Sequence, residues 1–470
     1  MIGESPVADN TGRRWPARSR GYRRDPERPP DDGRLTPGRY GSMMAAMRSG
    51  HRVIALALGA GTVAAAAVWF GLHFRGRPTV VLGPMVQDVR PDGLTIVWYM
   101  HPAARAELRV KAEGDPGARY FPASASPRPA AGITVQRCQA EVGGLEPGRR
   151  YDYEILEVVN DSDRRLLYAG RARAAPPPEE AVRILAFGDS GTGGRHQRRL
   201  ARLMRTCDPD AVIHTGDLIY PRGRPEDHPA RLFLPYAGLL AGVPFYPCLG
   251  NHEYKLDPLE AALSTFALPR NGPPDEPPGR HYWFDFGPAR FVAIDSNHDG
   301  PLFAERVAPW LEDVLAGAGE RWKIVFFHEP VHTHGKYPPA ARLEWSILPV
   351  MERHGVAMIL CGHNHMYERS HPLLAGRRVA AEEGIIHVTT GAGGANLASA
   401  RLPMPGTMAA WNDRQHSFTI IDLTPEALAV RQVGLDGLVL DRFERTRRTG
   451  RTDPDPPSDS PSPATARRPG

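Results

Sequence analysis

Five short motifs appear in one order along the chain, each directly after an apolar stretch. They are Gly188-Asp189-Ser190-Gly191, Gly216-Asp217-Leu218-Ile219-Tyr220, Gly250-Asn251-His252-Glu253, Val325-Phe326-Phe327-His328 and Gly362-His363-Asn364-His365. The stretches 182–187, 211–214, 245–249, 324–327 and 358–361 have the length and composition of buried strands. Between them the pattern predicts helices over 195–206, 302–315 and 340–353. A chain in which successive strands each end at a polar motif is expected to form open α/β sheets with those motifs gathered at the carboxyl ends. The motifs supply seven side chains suited to two metal ions: Asp189, Asp217, Tyr220, Asn251, His328, His363 and His365. This mixture of hard oxygen donors and imidazoles suits iron, zinc or manganese rather than calcium or a thiolate-held cluster.

Composition narrows the class. With 470 residues and 41% hydrophobic content the chain has ample material for buried cores in more than one domain. The formal charge of +5 arises from 58 basic and 53 acidic residues, and 11 arginines fall within positions 1–52, so the basicity is a property of the tail. No specific nucleic-acid partner follows from it. The four cysteines, Cys138, Cys207, Cys248 and Cys361, are too few and scattered for a disulfide scaffold or a cysteine-rich zinc site. They read as small buried residues, with a Cys248–Cys361 bridge left open.

Residues 1–52 lack apolar periodicity and are expected to be a disordered basic tail, as are residues 446–470 with their Pro, Ser, Thr, Arg and Asp mixture. Residues 53–74 run uncharged for long enough, at about 1.5 Å per residue, to cross a bilayer as one helix. The arginines upstream put the N-terminus in the cytosol by the positive-inside rule, so a single-pass membrane protein with an extracytoplasmic catalytic part is expected. A cleavable signal sequence, with Ala64-Ala65-Ala66 as its small-residue site, is the alternative, and the protein would then be secreted.

Residues 79–175 read as a run of short strands, among them 94–98, 106–110 and 151–155, parted by Gly and Pro turns. A β-sandwich is expected. Within it Leu145-Glu146-Pro147-Gly148-Arg149-Arg150-Tyr151 resembles the tyrosine corner of fibronectin type III and immunoglobulin-like domains, in which a hydroxyl ties a strand start to upstream backbone. Residues 174–180, with three consecutive prolines, form a stiff linker to a catalytic domain over 181–445.

The five motifs resemble those of the purple acid phosphatase branch of the calcineurin-like metallophosphoesterases, whose pattern reads GDxG, GDxxY, GNH[ED], VxxH and GHxH. All five are intact, and the likeness extends to Tyr367-Glu368-Arg369 and to Thr390-Gly391-Ala392-Gly393-Gly394. The resemblance implies an α/β metallophosphoesterase sandwich preceded by an all-β fibronectin III-like domain. It implies a dinuclear centre of Fe(III) with Zn, Mn or Fe(II), in which Asp217 bridges. Asp189, Tyr220 and His365 would complete one site, and Asn251, His328 and His363 the other. Tyr220 as phenolate is the reason for expecting iron(III), because a phenol titrates near ~10 in water. His252 is implied as the general acid that protonates the leaving group. The family's further substrate histidine has no direct counterpart, and His332, His334 or Lys336 could serve instead. The expected activity is hydrolysis of small phosphomonoesters by metal-bound hydroxide, with a phosphodiesterase or nucleotide hydrolase on the same dimetal site as the alternative.

Overall fold

Alternation of apolar and polar residues builds the first layers. The computed structural model describes residues 77–130, 133–255, 263–297 and 300–447. The expected tail 1–52, the apolar segment 53–74 and nearly all of the tail 446–470 lie outside these residues. Among the described residues no helix is long and apolar enough to cross a membrane. The first strands are β1 (Thr79–Arg90), β2 (Gly93–His101), β3 (Ala106–Ala112), β4 (Arg119–Pro122), β5 (Ser124–Ala130), β6 (Ile133–Gly143), β7 (Arg150–Val158) and β8 (Arg164–Arg173). They pair in two antiparallel sheets, β1-β2-β6-β5 and β4-β3-β7-β8. Ala106, Leu108 and Val110 of β3 turn inward against Tyr151, Tyr153 and Ile155 of β7, while Glu107 and Arg109 turn outward. Taken in chain order, the sheets read A-B-E-D and C′-C-F-G, an immunoglobulin-like strand arrangement. The Tyr151 hydroxyl accepts a hydrogen bond from the Glu146 backbone N–H at 2.8 Å, the contact expected of a tyrosine corner.

From Val182 the chain alternates strands with helices: β9 (Val182–Phe187), α1 (Arg195–Arg205), β10 (Ala211–His214), α2 (Leu234–Leu240), β11 (Phe245–Pro247), β12 (Tyr282–Phe286), β13 (Ala289–Ala293), α3 (Ala308–Ala316) and β14 (Trp322–Phe326). It continues through α4 (Ala341–Ser346), α5 (Leu348–Arg353), β15 (Met358–Cys361), β16 (Tyr367–Ser370), the small hairpin β17 (Leu373–Leu374) and β18 (Arg377–Arg378), and β19 (Ile386–Thr390). The last strands are β20 (Met408–Asn412), β21 (Ser417–Leu423), β22 (Ala427–Gly434) and β23 (Val439–Thr446). One sheet is ordered β11-β10-β9-β21-β22-β23 and the other β12-β13-β14-β15-β19-β16-β20.

The strands' two faces explain the layering. Ile184, Ala186, Ala211 and Ile213 of the first sheet share a core with Phe291, Ile324, Phe326, Met358 and Leu360 of the second. Their neighbours Leu185, Phe187 and Val212 point the other way, onto Leu200 and Met204 of α1 and Leu239 and Leu240 of α2. On the second sheet Val292, Val325, Phe327 and Ile359 pack on Leu311 and Leu315 of α3, Leu343 of α4 and Val350 and Met351 of α5. The result is helix, sheet, sheet, helix. Each such buried side chain contributes about 1.5–3 kcal/mol of transfer free energy, which explains why the central strands are apolar on both faces.

Two helical expectations change where proline intervenes. The segment predicted as one helix over 302–315 carries wide turns at Phe303–Val307 before α3, and the Ala308 N–H reaches back to the Phe303 carbonyl. Pro309, in the first turn of α3, has no N–H to continue the normal ladder. Likewise 340–353 divides into α4 and α5 at Ile347, beside Pro349. The strand expected over 245–249 ends at Pro247.

The β-sandwich and the α/β layers belong to one compact unit. Gln87 of β1 donates to the Phe245 carbonyl at 2.8 Å, and Tyr153 donates to the Ala241 carbonyl at 2.6 Å, so the sandwich braces the edge strand β11 and the end of α2. The Pro-rich linker is tied to both sides, with Ala175 bonded to Arg90 and Pro176 accepting from Gly287. All four cysteines are free, and burial raises the Cys138 thiol to about 12. Replacing Tyr151 by phenylalanine removes the corner hydrogen bond and leaves the Glu146 N–H without it. Urea unfolding should register a loss of about 1 kcal/mol, and an unchanged midpoint would show that the corner adds nothing.

Candidate metal centre

The motifs stand at the carboxyl ends of parallel strands: Asp189 follows β9, Asp217 follows β10, Asn251 follows β11, His328 follows β14 and His363 follows β15. Each turn must reverse the chain while aiming a donor over the sheet edges. Asp189, Asp217 and His363 achieve this with left-handed backbone, φ 55°, 54° and 68°, a conformation that costs a non-glycine residue about 1 kcal/mol or more. The motif glycines serve close approach. A Cβ at Gly250 would collide with the Asp217 backbone and carboxylate, and one at Gly362 would press into Asp189 and the Thr215 carbonyl.

All seven expected donors converge, in two groups. In the first, the Tyr220 hydroxyl lies 3.1 Å from Asp189 Oδ1, 2.8 Å from Asp217 Oδ2 and 3.0 Å from His365 Nε2. In the second, Asn251 Oδ1 lies 3.1 Å from both His328 Nε2 and His363 Nδ1, and the two ring nitrogens are 3.2 Å apart. Asp217 belongs to both, because its other oxygen, Oδ1, is 3.5 Å from His328 Nε2. Asp189, Asp217 and His328 are fully buried, and an atom from each falls within 4.8 Å of the others.

The electrostatics fit cations. Buried carboxylates are costly unless paired, yet the ion pairs recorded for Asp189 and Asp217 are with imidazoles alone among the described residues. Burial opposes a charge on His365, but the bond to Asp189 outweighs it and raises this imidazole to about 9. Burial, reinforced by His328, lowers His363 to about 3. Burial and the two carboxylates push the Tyr220 phenol well above its ordinary value, so a phenolate here needs a strongly charged ion beside it. The outer nitrogens set the ring orientation: His328 Nδ1 meets the Thr215 carbonyl at 2.8 Å and His365 Nδ1 meets the Asn396 carbonyl at 2.7 Å. Both rings then turn Nε2 to the centre, where a bound cation would take the place of its proton, the usual arrangement of ligating histidines.

Around this centre further polar side chains hold the donor loops in place. Glu253 is buried, and its carboxylate accepts from the backbone N–H groups of Asp217 at 3.0 Å, Gly250 at 2.8 Å and Ile219 at 3.2 Å. It therefore clamps two of the donor loops together. Asn364, between the two histidines of its motif, bonds Thr333 at 2.9 Å and both the carbonyl and N–H of Tyr337, and Glu368 accepts from the His334 N–H at 2.8 Å. These bonds pin the loop 333–337 beside the site.

The rim residues divide. His252 lies on the Tyr220 side, with ring centroids 4.3 Å apart, and its Nε2 is 3.8 Å from Asp217 Oδ2. His332 bonds Thr407 at 3.2 Å and neighbours His387, away from the donor groups. What stands against a donor in this loop is Tyr337, whose ring is 4.5 Å from that of His363. His334 contributes its backbone to Glu368. The signal for Tyr337 was position alone, since a tyrosine in a Pro-rich loop carries no motif.

Substituting Glu253 with alanine leaves three buried N–H groups without their acceptor. Metal content after dialysis, measured by mass spectrometry, should fall by about 10- to 100-fold in affinity while the circular dichroism spectrum persists. Full retention of metal would show that the clamp is dispensable.

Residues 182–367 match the family model described as Calcineurin-like phosphoesterase. Purple acid phosphatase 4 of Arabidopsis thaliana is 25% identical over 41% of this chain and 64% of its own length. The glycerophosphodiester phosphodiesterase GpdQ of Enterobacter lignolyticus is 32% identical over 33% of this chain and 56% of its own. The chain thus spans less than two thirds of either relative. Among solved structures, the purple acid phosphatase PPD1 of yellow lupin superposes with a TM-score of 0.67 at 18% identity, covering 78% of this chain and 74% of that one, which speaks to the fold. Residues 182–367 thus carry a calcineurin-like phosphoesterase domain, and the chain is similar to purple acid phosphatases in sequence and in fold.

Proposed function

We propose that this chain is an exported, dinuclear metal-dependent phosphatase acting on small phosphomonoesters. The observation that carries the reading is the division of Asp217, with Oδ2 in the Tyr220 group and Oδ1 facing His328. One carboxylate shared between two donor sets is what a pair of adjacent cations requires. Two ions held there would supply the Lewis-acid chemistry of phosphate-ester hydrolysis. Asp189, Asp217, Tyr220 and His365 would hold one ion, with Asn251, His328, His363 and the second oxygen of Asp217 holding the other. The phenol of Tyr220 favours iron(III) for the first, with zinc, manganese or iron(II) for the second.

The chain's own residues supply the rest. His252 is the group we assign to protonate the leaving oxygen, from a rim position 3.8 Å from the shared carboxylate. Its Nδ1–H donates to the Pro221 carbonyl at 2.7 Å, which fixes the ring and leaves Nε2 facing the site. Tyr337, over His363, would shield the opposite side from water. Export is supported by sequence: the apolar run 53–74 follows an arginine-rich segment, as an anchor or signal does. The sandwich over 79–175, with its Tyr151 corner, is assigned a fibronectin III-like role in bracing the catalytic domain over 181–445. Diester hydrolysis on the same centre is the second reading, favoured by the likeness to a glycerophosphodiester phosphodiesterase.

Turnover of an aryl phosphate and of its bis-aryl diester separates these readings: the monoester should be preferred, and a clear diester preference would replace one with the other. Asn251→Ala should lower either activity by about 100-fold or more. Iron-loaded protein should absorb visible light through phenolate-to-iron charge transfer, and Tyr220→Phe should abolish the band. A colourless iron-loaded protein would remove iron(III) from the assignment.

A further inference from the structure

Lys255 lies three residues beyond His252 and outside every motif. Its Nζ stands 2.6 Å from His252 Nε2, and His252 Nδ1 is engaged by the Pro221 carbonyl. With Nδ1 carrying the proton to that carbonyl, Nε2 accepts from the lysine ammonium, and it can carry a proton for a leaving group only once that ammonium has turned elsewhere. The ammonium thus sits at the rim against His252 Nε2, which is itself 3.8 Å from Asp217 Oδ2, and its hydrogen-bond partner among the described residues is a ring nitrogen and not a carboxylate.

The position is built rather than accidental. Glu253–Lys255 is a single tight turn, and the Lys255 N–H bonds back to the His252 carbonyl. The first residue of that turn, Glu253, is locked by the N–H groups of Asp217, Gly250 and Ile219. The second, Tyr254, donates to the buried carboxylate of Asp295 and accepts from Arg280 at 2.7 Å. With both preceding side chains fastened, the lysine stem leaves from a fixed base, and its exposed end is free to exchange the His252 nitrogen for an oxygen anion.

We propose that Lys255 binds the phosphoryl group of the substrate and sets the preference for monoesters over diesters. This inference rests on the phosphatase reading above and deepens it. A monoester carries one more negative charge than a diester, on an oxygen that in the diester is esterified. When two phosphoryl oxygens face the donor groups of the centre, the remaining one projects toward the rim, where a fixed cation beside His252 meets it. A diester puts an uncharged ester oxygen there and gains little from a lysine. Charge-assisted hydrogen bonds to an oxyanion are stronger than neutral ones, so the effect is selective for the dianion.

The test compares metal-loaded wild type with Lys255→Gln and Lys255→Arg. In Lys255→Gln the ratio of kcat/KM for an aryl phosphate to that for the bis-aryl diester should fall by about 10- to 100-fold, the span expected for one bond to a charged group. Most of this should lie in KM, and Lys255→Arg should recover the larger part of it. Inorganic phosphate provides a readout apart from turnover: its dissociation constant, by calorimetry, should rise about tenfold or more in Lys255→Gln. An equal fall for both esters, or unchanged phosphate binding, overturns the proposal and makes Lys255 a support for His252 only. A wild-type protein that binds phosphate through Lys255 but cleaves neither ester would refute the phosphatase reading while leaving the lysine site standing.

Discussion

The shared carboxylate of Asp217 is the constraint on which the rest of the site depends. It can serve two donor groups only if five chain segments, its own included, arrive within a few ångströms of one another, and loops that crowded have little room for side chains. Gly216, Gly250 and Gly362 answer that requirement, since a Cβ at each would strike a neighbouring donor or the backbone carrying one. The same crowding explains the left-handed turns at Asp189, Asp217 and His363, which lift carboxylate and imidazole over the strand ends instead of along them. Strain of that kind persists only where the surroundings over-determine it. Here the surroundings are the two packed sheets beneath and the Glu253 carboxylate, which takes three N–H groups from the loops that carry the donors.

Glu253 shows how the site couples stability to function. Burial and the nearby Asp217 raise its carboxyl to about 8, so holding it ionised next to Asp217 is costly. The three backbone donors offset part of that cost, and cations in the centre would offset more by drawing the Asp217 charge toward themselves. Ions bound at the centre would thus favour the same loop arrangement that Glu253 holds, as expected of metal sites formed from buried acids.

Much of this was legible in the sequence because the chemistry is local to short motifs. Seven candidate donors, two of them within a four-residue window at His363 and His365, were named from the five motifs and their resemblance to a family pattern, and the strands that bring them together were visible as apolar runs. The four-layer order was not visible, because apolar strands such as β9 and β14 are buried on both faces and carry no period from which to read a facing direction. Helices at Phe303–Val307 and around Ile347 were over-extended, although Pro309 and Pro349 were there to be weighed. The substrate side was the least legible. His332 and His334 were attractive as imidazoles near a motif, yet the loop's path is fixed by Asn364 and Glu368, long-range bonds that no spacing rule encodes, and these set Tyr337 against His363.

The mouth of the site is consequently asymmetric. On the Tyr220 side stand His252 and the ammonium of Lys255; on the His363 side stands the ring of Tyr337, with Lys336 only 5.2 Å from its centroid. Both walls are fixed by buried carboxylates of the protein, Glu253 and Asp295 on one side and Glu368 on the other. Acidic residues thus act in two separate ways. Asp189 and Asp217 face the centre, whereas Glu253, Asp295 and Glu368 face away and accept from backbone, hydroxyl and guanidinium donors. Glu253 and Glu368 lie within recognisable segments of sequence, but what they hold, and so which basic and aromatic side chains line the rim, follows only from long-range bonds. Proteins that share the five motifs are therefore free to differ in substrate, since the residues that aim the rim lie outside most of the pattern that defines the metal ligands.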